Sequence, residues 1–404
     1  MSVLKNPLLP MLALSMTLTP LSCRTSPEET RTAATASSPK VGILLASHGD
    51  INDPKTELED YIKVSFLKNV GIPFPTWTRE PLKGPAYALS VGAVKKQYEI
   101  IGPTKYRENS EKQAAAVTKA LAGSGLDARV YLGYNFAKPL IEETMKKMQA
   151  DGISTIVVIN KGAQFSYASS GENMEDVLDY LNKNPTYNAK VIGVRQYSDD
   201  PRFHKAMSSA VDKDAKKFFP GISPANICVM IGSHGLPQWL IDAGDPAIDQ
   251  MRSAFQAIST HLRGYKLYHA YLNDDFIPGA QWVAPKASEL APTLKKDGCK
   301  FVLLDGRLSF TTHHRATLYD MNHEVRNILE ETPTLPSGKE ALGWKKPQVV
   351  LAPNFDDDPN YAQLVVDITK EALAGKGSLV TLKEFDKPAK PKGSVGKPGV
   401  NPYN

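Results

Sequence analysis

Short apolar runs alternate with longer amphipathic stretches through most of the chain, from Val41 to about Gly375. The short runs are rich in β-branched residues, as buried strands are, whereas the longer stretches repeat their apolar positions with the period of a helix. This alternation predicts parallel sheets covered by helices. The predicted strands are residues 41–47, 127–132, 155–160, 189–194, 227–232, 265–271, 300–305 and 348–352.

Two sequence patterns occur twice along the chain. The run ILLASHG at 43–49 returns as VMIGSHG at 229–235, and DGISTIVVINKGAQF at 151–165 is similar to DGCKFVLLDGRLSF at 297–310. Such internal similarity indicates two related halves, which share the predicted strands equally.

The predicted fold class is therefore α/β. We expect two similar Rossmann-like domains, an N-terminal one at 40–205 and a C-terminal one at 206–375, each a four-stranded parallel sheet flanked by helices. The chain length of 404 residues fits two domains. Because ligands of such sheets bind beyond the carboxyl ends of the strands, a cleft is predicted between the halves, with both Ser-His-Gly turns at its edge.

The first residues have the features of a targeting segment. Lys5 precedes a mostly apolar stretch at 8–22, which is too short to span a bilayer but has the length of a signal-peptide core. Cys23 follows in a pattern that resembles the lipidation site of bacterial lipoproteins, although Pro20 stands where leucine is usual. We predict a signal peptide at 1–23, lipidation at Cys23, and an exported protein, periplasmic or membrane-anchored. The alternative is a disordered leader on a cytoplasmic protein.

The segments at both ends of the predicted domains differ from them in composition. Residues 24–39 are rich in Ser, Thr, Ala, Glu and Pro, which predicts a flexible linker. Residues 376–404 are rich in Lys, Pro and Gly, which predicts a disordered tail. This tail holds six Lys against two acidic residues, a local charge of +4, so the formal charge of +5 leaves only about +1 for the rest. A nucleic-acid partner is therefore not expected, and contact with a membrane is expected only through a lipid anchor at Cys23.

The composition excludes several cofactors. The three cysteines are too few for a four-cysteine zinc site or iron-sulfur cluster. Cys228 and Cys299 adjoin apolar runs, and we expect them to be small buried hydrophobic residues. The loop QFSYASSGEN at 164–173 can bind an anionic group with its backbone N–H donors, but it lacks the glycine spacing of a dinucleotide site and the Gly-Lys-Ser/Thr of a P-loop. No nucleotide is expected.

The candidate chemistry lies in histidines. His234, in the segment GSHGLPQW, follows a predicted strand, and an imidazole held there by a tight turn can accept protons or bind a metal. His48 is its counterpart in the first half, where it either shares a metal with His234 or is a relic of the duplication. In FTTHHRATLYDMNHE at 310–324, Thr311 or Thr312 suits a helix N-cap.

On that helix one stripe, at spacings of three and four, would carry His313, Ala316, Asp320 and either His323 or Glu324. Imidazole and carboxylate along one face can conduct protons or a divalent cation. The alternative is a solvated face that happens to be rich in histidine.

Taken in order, these segments resemble ferrochelatase, the enzyme that inserts ferrous iron into a porphyrin. The similarity extends over roughly 41–374. It is carried by QYEIIGPTKYRENSEKQ at 97–113, QFSYASSGEN, GSHGLPQ, GDP at 244–246, QWVAP at 281–285, FTTHHRATLY and the segment at 356–373. The Ser47-His48-Gly49 turn instead resembles the smaller chelatases that act on sirohydrochlorin and cobalt precursors.

The resemblance implies a chelatase fold and a lyase that inserts a divalent metal, Fe2+ by family and otherwise Co2+ or Ni2+, into a porphyrin or other tetrapyrrole, as in haem biosynthesis. His234 falls on the catalytic histidine, but the catalytic glutamate falls on Ala316. We expect His313 and Asp320 to replace that glutamate in part. The metal ligands implied are His234, His48 and His314, and the substrate-binding residues implied are Tyr106, Gln164, Ser166, Ser169, Ser170 and Trp282.

Two functions without catalysis remain open. The loss of the glutamate and the expected export favour a protein that holds haem or another tetrapyrrole by an imidazole. A metal-scavenging protein that binds no tetrapyrrole is the other alternative.

Overall fold

The computed structural model describes residues 40–69, 72, 74, 76–272, 280–332 and 345–380, and two short strands within 393–398. The predicted signal peptide with Cys23, the linker and most of the tail lie outside these residues.

The first sheet has five strands. They are β1 Val41–Ser47, β2 Ala128–Tyr134, β3 Thr155–Asn160, β4 Lys190–Val194 and β9 Leu379–Val380, in the order β2-β1-β3-β4-β9. The first four are parallel, and β9 pairs antiparallel with β4.

The second sheet has four strands, all parallel. They are β5 Ile227–His234, β6 Lys266–Leu272, β7 Phe301–Asp305 and β8 Gln348–Leu351, in the order β6-β5-β7-β8. In both sheets the second strand in sequence lies at an edge, beside the first. The predicted α/β class with two parallel sheets is therefore confirmed, and β9 is an addition that the alternation did not predict.

Helices connect the strands. They are α1 Pro54–Lys68, α2 Thr76–Ile101, α3 Tyr106–Ala122, α4 Ile141–Ala150, α5 Glu172–Lys183, α6 Pro201–Phe218, α7 Gln238–Asp242, α8 Ala247–His261, α9 Ala287–Lys296, α10 Arg326–Glu330 and α11 Pro359–Leu373. Two segments are π-helical, Tyr167–Gly171 and Thr317–Val325, and Pro224–Asn226 is a 3-10 turn. Strands β10 Gly393–Ser394 and β11 Lys397–Pro398 pair antiparallel. No helix among the described residues is both long enough and apolar enough to cross a bilayer.

Three helices begin with the same pair of residues, an aspartate followed by proline. The aspartate side chain accepts a hydrogen bond from a backbone N–H of the first turn, and the proline occupies a position where an N–H would have no partner within the helix. These pairs are Asp53 and Pro54 in α1, Asp200 and Pro201 in α6, and Asp358 and Pro359 in α11.

The two halves share one apolar cluster, and each half also has a cluster of its own. A single apolar cluster includes Ile43 and Val157 from the first sheet and Val229 and Leu303 from the second. Helix α11, from the end of the chain, packs against α3, β3 and β4 of the first half. The predicted boundary between 205 and 206 falls inside α6, so the halves are joined by a continuous helix and not by a linker.

Cys228 and Cys299 are buried, as expected, but they are not free thiols. They form a disulfide with a Cα–Cα distance of 5.9 Å. Cys228 lies on β5, and Cys299 lies two residues before β7, the strand that pairs with β5, so the fold brings the two cysteines within bonding distance. The prediction that they are only small hydrophobic residues was wrong.

The start of the predicted tail is also part of the fold. Residues 376–380 include strand β9, and Arg195 N donates to Ser378 O at 2.8 Å. The predicted disorder was therefore wrong for these five residues, which extend the first sheet.

Candidate functional site

The two Ser-His-Gly turns end corresponding strands, β1 in the first sheet and β5 in the second. Gly49 has a φ of +80°, and a Cβ there would lie 2.8 Å from the Cβ atoms of Tyr134 and Ala137, so the turn requires glycine. The His48 ring stacks on Phe136 at a centroid distance of 4.7 Å. Its Nε2 lies 3.7 Å from Oε2 of the buried Glu172. His48 is thus held by an aromatic ring and a carboxylate.

His234 is the last residue of β5 and is partly exposed, whereas Ser233 before it is fully buried. Its ring lies edge-on to Phe310, with 5.9 Å between centroids. The same Phe310 ring contacts His314 at 4.2 Å. Phe310 therefore lies against both imidazoles of the second half.

His314 is fixed by the helix that follows it. Its Nδ1 accepts a hydrogen bond from Ala316 N at 3.0 Å, and its carbonyl accepts from Leu318 N. Since a backbone N–H can only donate, Nδ1 is unprotonated and the neutral ring carries its proton on Nε2. This residue, and not Thr311 or Thr312 as predicted, caps the helix.

The pKa of His314 depends on its burial and on the charged groups around it. Burial lowers the pKa of His314 well below its ordinary value, and positive charge on His234, Arg315, His48 and His313 lowers it further. Of the three residues that were predicted to bind metal, His234 and His314 both contact the Phe310 ring, and the charge of His48 also acts on His314.

The helix after His314 differs from the expected α-helix. It begins at Arg315 and is π-helical from Thr317 to Val325, so its hydrogen bonds run from residue i to i+5. Spacings of three and four then no longer mark one face, and the predicted stripe was wrong. Ala316 is buried, and Asp320 Oδ1 lies 3.8 Å from an Arg315 nitrogen.

His313 faces a different environment from His314. Its Nδ1 is 3.2 Å from Thr317 Oγ1. Burial lowers the pKa of His313 to about 4, against an opposing effect of the Asp305 charge and of a hydrogen bond to the Ala352 backbone. The ring is neutral at physiological pH and is held by protein groups, and its catalytic role stays a prediction.

Asp50, which the sequence reasoning missed, joins the halves beside this site. Its carboxylate is buried, accepts from Ile51 N at 2.8 Å and from the Tyr98 hydroxyl, and accepts from Arg315 N at 2.9 Å. Burial raises the pKa of Asp50. The available signal was its position directly after the first Ser-His-Gly turn, which the second turn does not repeat.

The predicted substrate loop is tied to the second half. Ser166 Oγ donates to Asp245 Oδ2 at 2.7 Å, and Gln164 Nε2 donates to Leu308 O at 2.9 Å. Burial raises the pKa of Asp245 to about 6. Ser170 Oγ donates to Gln164 O. Of the four predicted loop residues, Ser169 is the partly exposed one. The side chains of Gln164, Ser166 and Ser170 thus have protein partners, and their substrate contacts stay predictions.

The other two predicted substrate residues differ in exposure. Tyr106 is buried, with its hydroxyl 2.8 Å from Ser47 Oγ. Trp282 is partly exposed and pairs with Pro237, just after His234. Trp282 is therefore the aromatic residue of the two that remains accessible near the site.

Within the described ranges, no three His, Cys, Asp or Glu side chains are grouped to hold a metal ion. The metal-ligand role of His234, His48 and His314 therefore stays a prediction. The metal in this prediction is a substrate, which is delivered to the site and then released from it.

Two mainly parallel sheets flanked by helices, each with a Ser-His-Gly turn after its first strand, define a duplicated α/β protein. The family model "Ferrochelatase" matches residues 40–373, so the chain belongs to the ferrochelatase family. This membership supports metal insertion into a tetrapyrrole, with a divalent metal and a porphyrin as substrates.

Similar proteins include ferrochelatase-1 of Arabidopsis thaliana, 25% identical over 364 residues that cover 86% of this chain and 74% of that protein. The ferrochelatase of Rippkaea orientalis is 27% identical over 355 residues, covering 85% and 87%. Among solved structures, SirB from Bacillus subtilis with Fe3+ aligns with a TM-score of 0.48 and 13% identity, covering 83% of this chain and 96% of that one.

Proposed function

We propose that this protein inserts a divalent metal into a porphyrin at the strand ends that carry His48 and His234, beside His314. Fe2+ is the metal implied by the family, and Co2+ or Ni2+ are the alternatives that more imidazole would favour. The observation that carries the proposal is that one ring, Phe310, contacts both His234 and His314 at the carboxyl edge of the second sheet.

Metal insertion needs a base for two pyrrole protons and donors that strip water from the metal. Imidazole can accept protons near neutral pH, and the partly exposed His234 is placed to do so. His314 presents its Nε2–H, because its Nδ1 is bonded to Ala316 N. Binding of a metal at Nε2 of His314 would therefore require the loss of that proton. We expect His48 and His234 to bind the metal at a lower cost in free energy.

The choice of metal follows from the donors. The buried Ala316 offers no carboxylate, and Asp320 lies close to Arg315. Imidazole donors suit Co, Ni, Cu and Zn better than a carboxylate-rich set does, although Fe(II) also accepts them.

We also propose that the protein is exported. The Cys228–Cys299 disulfide supports this, because such bonds form and persist mainly in oxidising compartments.

The test is an absorbance assay with Fe(II), Co(II) or Ni(II) and protoporphyrin or coproporphyrin. His234→Ala should lose metal insertion, whereas His261→Ala, a change at an exposed histidine at the end of α8, should keep it. Equal rates in wild type and His234→Ala, or no insertion with any metal, would overturn the proposal.

A second candidate function is tetrapyrrole binding without turnover, and the loss of the glutamate at Ala316 favours it. An imidazole at the same edge would then be the axial ligand of haem. A Soret band typical of low-spin histidine ligation in protein as isolated, with no metal insertion, would select this function.

A further inference from the structure

Lys161 is a buried lysine at the junction of the two halves. It is the residue after β3, and its side chain is 3% exposed. Its Nζ donates to Ser110 Oγ on α3 at 2.6 Å and to Thr312 Oγ1 in the second half at 2.8 Å. The amine also lies 4.6 Å from the centre of the Tyr106 ring. One amine thus contacts α3 of the first half and the segment that leads to His314.

Each contact leads towards one of the histidine segments. The Tyr106 hydroxyl is 2.8 Å from Ser47 Oγ, and Ser47 directly precedes His48. Thr312 lies two residues before His314, and Lys161 N donates to Ala46 O at 2.8 Å. Lys161 is therefore linked to both segments through groups that are not themselves metal ligands.

Burying this amine is unfavourable unless its N–H groups are hydrogen-bonded. Burial lowers the pKa of Lys161 to about 7, and the charge of Asp356 opposes that effect. The other titratable groups around it are Tyr106 on α3, Tyr197, whose hydroxyl donates to Lys161 O, and Tyr361 on α11, which is bonded to Tyr197.

We infer that Lys161 is a positioning residue that sets the distance between the His48 segment and the His314 segment. This inference rests on the proposed function for its effect on rate. Lys161 does not touch the reacting atoms, so its loss should disturb the chemical step more than the docking of the porphyrin.

The test compares Lys161→Met, which keeps the length but removes the donors, with Lys190→Met, a change at an exposed lysine of β4. We expect Lys161→Met to lower kcat by about 10-fold to 100-fold, as small displacements of catalytic groups do, with KM changed by about 2-fold or less. Lys190→Met should match wild type. The ratio of wild-type to Lys161→Met kcat should be largest below about pH 7 and should fall above it, as the amine loses its charge.

Thr312→Val removes one contact and is the milder variant should Lys161→Met not fold. It should lower kcat in the same direction, again with KM nearly unchanged. An unchanged kcat in folded variants, or equal changes in kcat and KM, would overturn the inference.

A second measurement separates this inference from the proposed function. Spin labels at the exposed Lys146 on α4 and Lys296 on α9 report the distance between the halves. Lys161→Met should shift or broaden that distance, and Lys190→Met should not. If wild type inserts no metal, the proposed function fails, while an unchanged distance would defeat the role of Lys161 by itself.

Discussion

The Nδ1 atom of His314 accepts a hydrogen bond from the backbone N–H of Ala316, 3.0 Å away, and so caps the helix at the site. The family resemblance implies that His314 is a metal ligand, and the structure gives the same residue a second role as a helix cap. Since the capping bond occupies one ring nitrogen, only Nε2 remains for chemistry.

Two substitutions separate these tasks. His314→Asn keeps a side-chain acceptor that can cap the helix, whereas His314→Ala removes it and should cost about 1 kcal/mol of unfolding free energy. Both variants should lose the same fraction of the metal-insertion rate, because both lack the imidazole ring. Urea unfolding and the porphyrin absorbance assay measure the two effects. A His314→Asn protein less stable than His314→Ala would show that the cap does not matter.

Ala316→Glu introduces a carboxylate at the position to which the family resemblance assigns the catalytic glutamate. The side chain at 316 is buried, so the new group should destabilise the fold while it adds an oxygen donor beside His314. We expect the Fe(II) rate to rise relative to the Co(II) rate, because a carboxylate suits the harder ion. Ala316→Gln is the control for size. If Ala316→Gln raised the Fe(II) rate relative to the Co(II) rate by the same factor, the charge of the carboxylate would be excluded as the cause.

The Cys228–Cys299 disulfide closes a loop with a sequence separation of 71 residues. The chain-entropy account gives roughly 4 kcal/mol of stabilisation for a loop of this size. The double variant Cys228→Ala with Cys299→Ala should unfold at a lower urea concentration than the oxidised protein, and reductant should not change it further. Equal midpoints for oxidised and reduced wild type would mean that the bond contributes nothing to stability.

The sequence was sufficient for the strands and for the repeated turns. Runs such as 41–47 and 227–232 have local signals, namely β-branched composition and a glycine turn after the histidine. The repeat then placed His48 and His234 at corresponding strand ends, because each lies at the end of the first strand of its own half.

What the sequence did not predict depends on groups far apart in the chain. The disulfide requires that β7 lies beside β5, and the partners of Lys161 lie in α3 and at Thr312. The π-helix after Ala316 also has no local pattern that separates it from an α-helix, so the expected stripe had the wrong period.

Lys161 should make stability depend on pH in a defined range. Its folded pKa of about 7 lies below the ordinary lysine value of 10.5, so the unfolded chain binds more protons between these two values. The free energy of unfolding therefore rises with pH in this range and falls as pH drops towards 7. Relative to Lys161→Met, wild type should gain about 1 kcal/mol per pH unit over this range.

Urea unfolding of wild type, Lys161→Met and Lys190→Met at pH 7, 8 and 9 measures this difference. Lys190→Met removes a lysine that is exposed on β4, so its difference from wild type should stay flat with pH. A flat difference for Lys161→Met as well would mean that the amine keeps its ordinary pKa and that water reaches it. A difference that grows with pH would show that the amine at the junction of the halves is held in the neutral form by its burial.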